Sequence, residues 1–199
     1  MAKAELTRTS SRDDGLLVVG AMVVVMWVSE IVDTIANHQL DQYGIEPRQA
    51  DGLIGVVTAP FLHAGFGHLV SNTVPFLLLG FVIALGGAAR VLAVTVIVAL
   101  VSGLGTWLSA PAHTNHIGAS GIVFGYGTYL MARGVYNRSV FQIAVGVLVA
   151  AVFGGALLAG LEPHAGISWQ GHLFGAVGGV VAARLLARDR PDAARPATA

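Results

Sequence analysis

The feature that most constrains this chain is a recurrence of apolar runs, most of them near 20 residues long, separated by short polar connections. A helix rises ~1.5 Å per residue, so about 20 apolar residues cross a hydrocarbon core of roughly 30 Å. Six such runs are read, at about 15–35, 67–85, 89–108, a shorter 119–131, 140–159 and 169–186. The expected fold is an all-α membrane protein, a polytopic bundle of six transmembrane helices. Composition agrees, because 11% of the residues are charged and 55% are hydrophobic, whereas soluble domains run near a quarter charged. The lipid bilayer is thus the first expected partner. Residues 1–14 read as a polar cytoplasmic tail, 15–187 as one six-span domain, and 188–199 as a disordered cytoplasmic tail rich in Arg, Asp, Pro and Ala. The first run continues into Trp27-Val28-Ser29-Glu30 with no small-residue cleavage site, so it reads as a retained span.

Charge and cysteine content exclude several functions. The formal net charge is zero, which leaves no basic surface for nucleic acid. No cysteine is present, so disulfides, thiolate metal sites and cysteine nucleophiles are excluded. The 26 glycines have no triplet period and read as close helix contacts, which small residues permit in lipid.

Basic residues set the expected orientation. In a six-span chain with both termini on one side, Lys3, Arg8, Arg12, Arg90, Arg133, Arg138, Arg184, Arg188, Arg190 and Arg195 share that side, and only Arg48 falls on the other. Under the positive-inside rule both termini are cytoplasmic, and the protein resides in the cytoplasmic membrane. Omitting the fourth span would destroy the asymmetry. The one long connection, 36–66, mixes Asp41, Glu46, Arg48 and Asp51 with Leu53-Ile54-Gly55-Val56-Val57, and reads as a surface-lying, partly helical loop. The other loops are short, so spans 2 to 6 are expected to pack as sequential neighbours.

Polar residues inside these runs are costly unless paired or facing a wet cavity. His68 and Asn72 open span 2, Ser120 opens span 4 and His172 lies about one turn into span 6, all toward the outer leaflet. His68 and Asn72 are four apart and share a helix face. Each could serve only as interhelical glue, and His63 could simply anchor the loop. The run Gly118-Ala119-Ser120-Gly121 leaves a hydroxyl uncovered at a helix start, where free N–H groups can receive an oxyanion. Gly171, Gly175 and Gly179 form a small-residue face through His172, which lets an imidazole approach a serine on a partner helix. No acidic residue lies in spans 2 to 6, so a Ser120–His172 dyad is read rather than a triad. His63, His68, His113, His116, His164 and His172 lie on the outer side. A catalytic metal is nonetheless not assigned, because no His-Glu-x-x-His spacing or bundle carboxylate accompanies them, and no cofactor is expected.

These residues, over about 47–186, resemble the rhomboid intramembrane serine proteases of the bacterial six-span form. The resemblance rests on His63 through His68 to Asn72, on Gly118-Ala119-Ser120-Gly121, and on His172 followed by Gly175 and Gly179; Thr58-Ala59-Pro60-Phe61-Leu62-His63 adds to it. It implies a serine endopeptidase with Ser120 as nucleophile and His172 as general base, and an oxyanion hole from His68, Asn72 and the Ser120 N–H. It further implies an outward cavity, lateral substrate access near span 5 and a capping loop at 162–168. Substrates would be single-span membrane proteins with small or helix-destabilising residues near the outer face. The alternative is an inactive rhomboid-like protein that binds client transmembrane helices. Two departures stand out: no Trp-Arg pair lies in 36–66, where Arg48 is the nearest basic site, and Phe124 replaces the tyrosine often stacked on the histidine.

Overall fold

The computed structural model describes residues 2–164 and 166–187. The tail read at 188–199 lies outside the described residues. Among the described residues there are seven α-helices: α1 (Ala2–Ile35), α2 (Gly55–Thr58), α3 (Phe66–Ala84), α4 (Ala88–Ser109), α5 (Ser120–Tyr136), α6 (Val140–Ala159) and α7 (Trp169–Leu185). Four are long and apolar enough to cross a membrane, over Arg12–Ile35, Phe66–Ala84, Ala88–Ser109 and Val140–Ala159. Helices α5 and α7 are shorter, at 17 residues each. They carry Ser120 and His172, and their glycines and polar groups dilute their hydropathy. α1 begins well before the apolar run, because Ala, Glu, Leu, Lys and Arg in the polar tail are good helix formers.

The packing differs from the expected sequential order. α7 makes its most extensive contacts with α5 and α4, α6 packs chiefly on α5, and α3 touches its chain neighbour α4 only slightly. Glycine decides this arrangement. A Cβ on Gly175 would run into the Gly121 carbonyl, and one on Gly179 into the Gly125 carbonyl and the Thr128 hydroxyl. On the other side, a Cβ on Gly178 would stand 3.1 Å from Val98 Cα. α7 is therefore the member thin enough to sit between two others. Side-chain bonds to backbone tie it in place: Ser102 Oγ donates to the Gly171 carbonyl at 2.8 Å and Thr128 Oγ1 to the Ala176 carbonyl at 2.8 Å. At the end away from Ser120, Arg90 donates to the Leu186 carbonyl just past α7. Large apolar side chains of α6, among them Phe141, Val147, Leu148, Val152 and Leu158, point outward, as a lipid-facing helix requires.

The connection 36–66 is partly helical, as read. Short 3-10 turns at Leu40–Tyr43, Asp51–Ile54 and Ala59–Phe61 flank α2. Gly55 and Gly52 allow it to fold flat, since a Cβ at Gly55 would strike the Gly44 backbone and one at Gly52 the Glu46 backbone. Val56 presses on Gly103 of α4, and Ile45 forms a two-way backbone bridge with His116.

Candidate functional site

The site begins with a backbone conformation. Gly118 has φ +116, a region that L side chains rarely adopt, and its N–H bonds to the Ala59 carbonyl at 2.9 Å. A Cβ there would also stand 2.6 Å from the His68 ring. The chain then enters α5 with Ser120 as its first helical residue, so the Ser120 N–H belongs to the unpaired first turn. Among the described residues it has no hydrogen-bond partner.

Ser120 Oγ and His172 Nε2 are 2.8 Å apart. The other ring nitrogen, Nδ1, is 2.7 Å from the Gly160 carbonyl. A carbonyl only accepts, so Nδ1 carries the proton, and in the neutral ring Nε2 is left as the acceptor for the Ser120 hydroxyl. Phe124, one turn along α5, stacks on the imidazole with centroids 4.1 Å apart and planes 9° from parallel. The glycine contacts of α5 and α7 are what bring the two side chains within reach.

The expected helpers converge on the same place. The Ala64 N–H donates to His68 Nδ1 at 3.3 Å, which in the neutral ring leaves the proton on Nε2, the nitrogen nearer Gly118. Asn72, buried, spends one amide N–H on the His68 carbonyl at 2.9 Å and keeps the second. His68, Asn72, Ser120, Phe124 and His172 line one cavity of about 950 Å³, whose side walls include Pro75 of α3 and Phe153 and Leu157 of α6. His63 does not line it. Its Nε2 receives the Ala119 N–H at 3.4 Å and its ring meets His68 edge-on at 5.2 Å. Burial, then the neighbouring His68, push its pKa down to about 4, so it is neutral and holds the turn before Ser120.

The rhomboid domain family matches residues 50–189. The chain belongs to the rhomboid family. An uncharacterized protein of Mycobacterium tuberculosis is 45% identical over 172 residues, covering 82% of this chain and 72% of that protein. A second, from Mycobacterium leprae, is 43% identical over 173 residues, covering 82% and 68%. The Bacillus subtilis protein YdcA, named as a candidate rhomboid protease, is 31% identical over 126 residues, or 62% of each chain.

Gly160 of this rhomboid-family site was not singled out from sequence, and His116 and Arg48 were named there without the contacts they make. Gly160 supplies the Nδ1 acceptor, and a Cβ there would meet Phe124 at 2.5 Å and His172 Nδ1 at 3.1 Å. Its signal was the missing acid: with no carboxylate in α3 to α7, a backbone carbonyl had to orient the ring. His116 joins three loops, through Thr114 Oγ1 at 2.8 Å, Ser168 Oγ at 2.7 Å and the bridge to Ile45; burial lowers its pKa. Arg48 answers the absent Trp-Arg pair. Its guanidinium donates to the Leu108 and Ala110 carbonyls at the end of α4, and Trp107 Nε1 donates to the Gln49 carbonyl. A cation on the last carbonyls of a helix is the favourable end of its dipole.

Proposed function

We propose that this chain is an intramembrane serine endopeptidase of six-span form that cleaves single-span membrane proteins near the outer membrane face. The observation that carries the reading is the Ser120–His172 hydrogen bond of 2.8 Å, with the Gly160 carbonyl holding the tautomer in which His172 Nε2 accepts. Ser120 Oγ attacks the scissile carbonyl as its proton passes to Nε2. The developing oxyanion takes hydrogen bonds from the Ser120 N–H, His68 Nε2–H and the free Asn72 amide N–H. His172 returns its proton to the leaving amine, giving an acyl-enzyme. A water then attacks that ester with His172 again as base, releasing the new carboxyl end and restoring Ser120. A pocket of about 40 Å³ touching Ser120, Ser102, Thr106 and Ser168 has room for such a water, and these hydroxyls can bond to it.

The membrane reading extends to α5 and α7, whose 17 residues give roughly 26 Å of helix, close to a bilayer core. With the 15–187 domain spanning six times, the basic residues gather at the cytoplasmic end and the site faces outward. The α3 and α6 walls of the cavity offer a substrate helix a lateral way in, and unwinding it favours small or helix-destabilising residues at the cut.

The test is cleavage of a single-span reporter by the purified protein. Ser120→Ala and His172→Ala abolish cleavage while leaving the melting temperature near wild type, and Asn72→Ala slows it by about 10²- to 10³-fold. A fluorophosphonate probe labels only protein holding both Ser120 and His172. Cleavage by purified S120A overturns the reading, and client binding with neither labelling nor turnover favours an inactive relative.

A further inference from the structure

A second cluster of chemistry-bearing side chains lies away from the serine, where α1 meets the first loop. α1 delivers Glu30 and Asp33, three apart and on one helix face. The chain then reverses through Asn37 and His38, both at positive φ (53° and 60°), which turns the His38 imidazole back onto the helix it has just left. His38 Nδ1 lies 3.1 Å from Asp33 Oδ2, and the Leu40 N–H donates to Asp33 Oδ1 at 2.6 Å. The next turn brings in Asp41. One donor atom from each of Asp33, His38 and Asp41 falls within 4.8 Å of the others.

Neutralising charge is scarce here. Among the described residues the only ion pairs are His38–Asp33 and His164–Glu162, so no Lys or Arg answers these carboxylates. Glu30 is 1% exposed and both its carboxylate oxygens are buried; no side chain bonds to them, and their one polar neighbour outside the cluster is the backbone of Gly65. The charged groups that act on it are Asp33, Asp41 and His38, with no Lys or Arg among them. Asp41 Oδ1 is likewise buried and unpartnered. Burying several carboxylates at a helix end with no basic partner is costly, and a divalent cation removes that cost.

We propose that Asp33, His38 and Asp41, backed by Glu30, bind one divalent first-row cation of the zinc type. An imidazole nitrogen among carboxylates suits zinc better than calcium or magnesium, which prefer all-oxygen sets. The donor atoms lie within 4.8 Å of one another, so binding requires the side chains to rotate inward until each donor stands near ~2.1 Å from the ion. His38, 54% exposed, gives the ion a path from solvent. The site is independent of the serine chemistry and uses the one histidine outside the set weighed from sequence. Its position suggests its purpose, because the Glu30 carboxylate also lies beside the backbone of Gly65, the residue that caps α3 three positions before His68. A bound cation would tie α1 and the 36–41 turn together next to the start of α3.

The test uses the full chain in detergent, stripped with chelator and titrated with zinc chloride in a calorimeter, with melting followed in parallel. One saturable zinc per chain is expected, with a higher melting temperature. His38→Ala and Asp41→Asn should each weaken binding by more than the roughly 10- to 100-fold typical of losing a mere supporting contact. Both positions lie outside the core, and the metal-free melting temperature of each variant shows that it is folded. His68→Gln and His172→Gln should bind zinc as wild type does. Absence of saturable zinc binding overturns the proposal. So does binding that survives H38A and D41N, binding lost in H68Q or H172Q, or saturation by calcium where zinc does not bind.

Discussion

His63 shows how one buried side chain sets a pH limit on the molecule. In the unfolded chain its imidazole takes up a proton near ~6.5, whereas in the folded protein it does so only near about 4. The unfolded state therefore binds more protons in between. The stability that His63 contributes as a neutral group is complete above pH 6.5 and is lost as pH falls from 6.5 toward 4, by roughly 3 kcal/mol at most. Thermal melts in detergent across that window should show the wild type losing stability faster than His63→Gln, which accepts the Ala119 N–H through its amide oxygen without titrating. Parallel slopes for the two proteins would remove His63 as the cause. His116, also shifted down by burial, titrates in both proteins, so it cancels from the difference.

At the scale of the helices, the α5–α7 contact should be the most sensitive in the molecule. Gly175→Ala places a methyl group against the Gly121 carbonyl, a backbone atom that cannot rotate away. The two helices must separate, at a cost of about 1–3 kcal/mol, and Ser120 and His172 separate with them. Reporter cleavage should fall far more than folded protein does. Gly154→Ala and Gly155→Ala on α6 meet nothing within 4 Å and should leave both quantities unchanged or slightly raise stability. If G175A cleaved normally, the close glycine contact would not be what aligns the pair.

This interface was legible in the sequence because glycines at 171, 175 and 179 repeat at helical spacing around a histidine, and a small-residue face leaves its mark in one segment. The apolar helices were legible for the same local reason, whereas the Phe124 stack was implied only by the family resemblance. The central place of α7 was not, because which helices share a neighbour depends on surfaces from three distant segments at once. Gly160 was hidden more deeply, since its role belongs to a backbone carbonyl, which every residue carries. The Asp33–His38–Asp41 cluster escaped because its turn depends on two successive non-glycine residues at positive φ, Asn37 and His38, a conformation that Asn and His favour but do not dictate.

At the scale of the whole molecule, the outward orientation of the site is tested by proton chemistry, whatever the natural substrate. Arg90, Arg133, Arg138 and Arg184 lie near the helix ends farthest from Ser120, consistent with those ends facing the cytoplasm. A base at His172 works only while neutral, because Nε2 must accept the serine proton while Nδ1 donates to Gly160. Cleavage should therefore decline as the medium bathing the cavity becomes acidic enough to protonate the ring. In vesicles of known orientation, with the two faces buffered separately, the rate should follow the pH on the side opposite the termini and ignore the other. A rate that tracked the terminal side would reverse the orientation. A rate that climbed steadily into acid would remove histidine as the base. His68 lines the same cavity and can titrate there, so the profile should be repeated with His68→Gln. An acid limb that stays in place in H68Q, on a lower plateau, belongs to His172; a limb that moves belongs to His68.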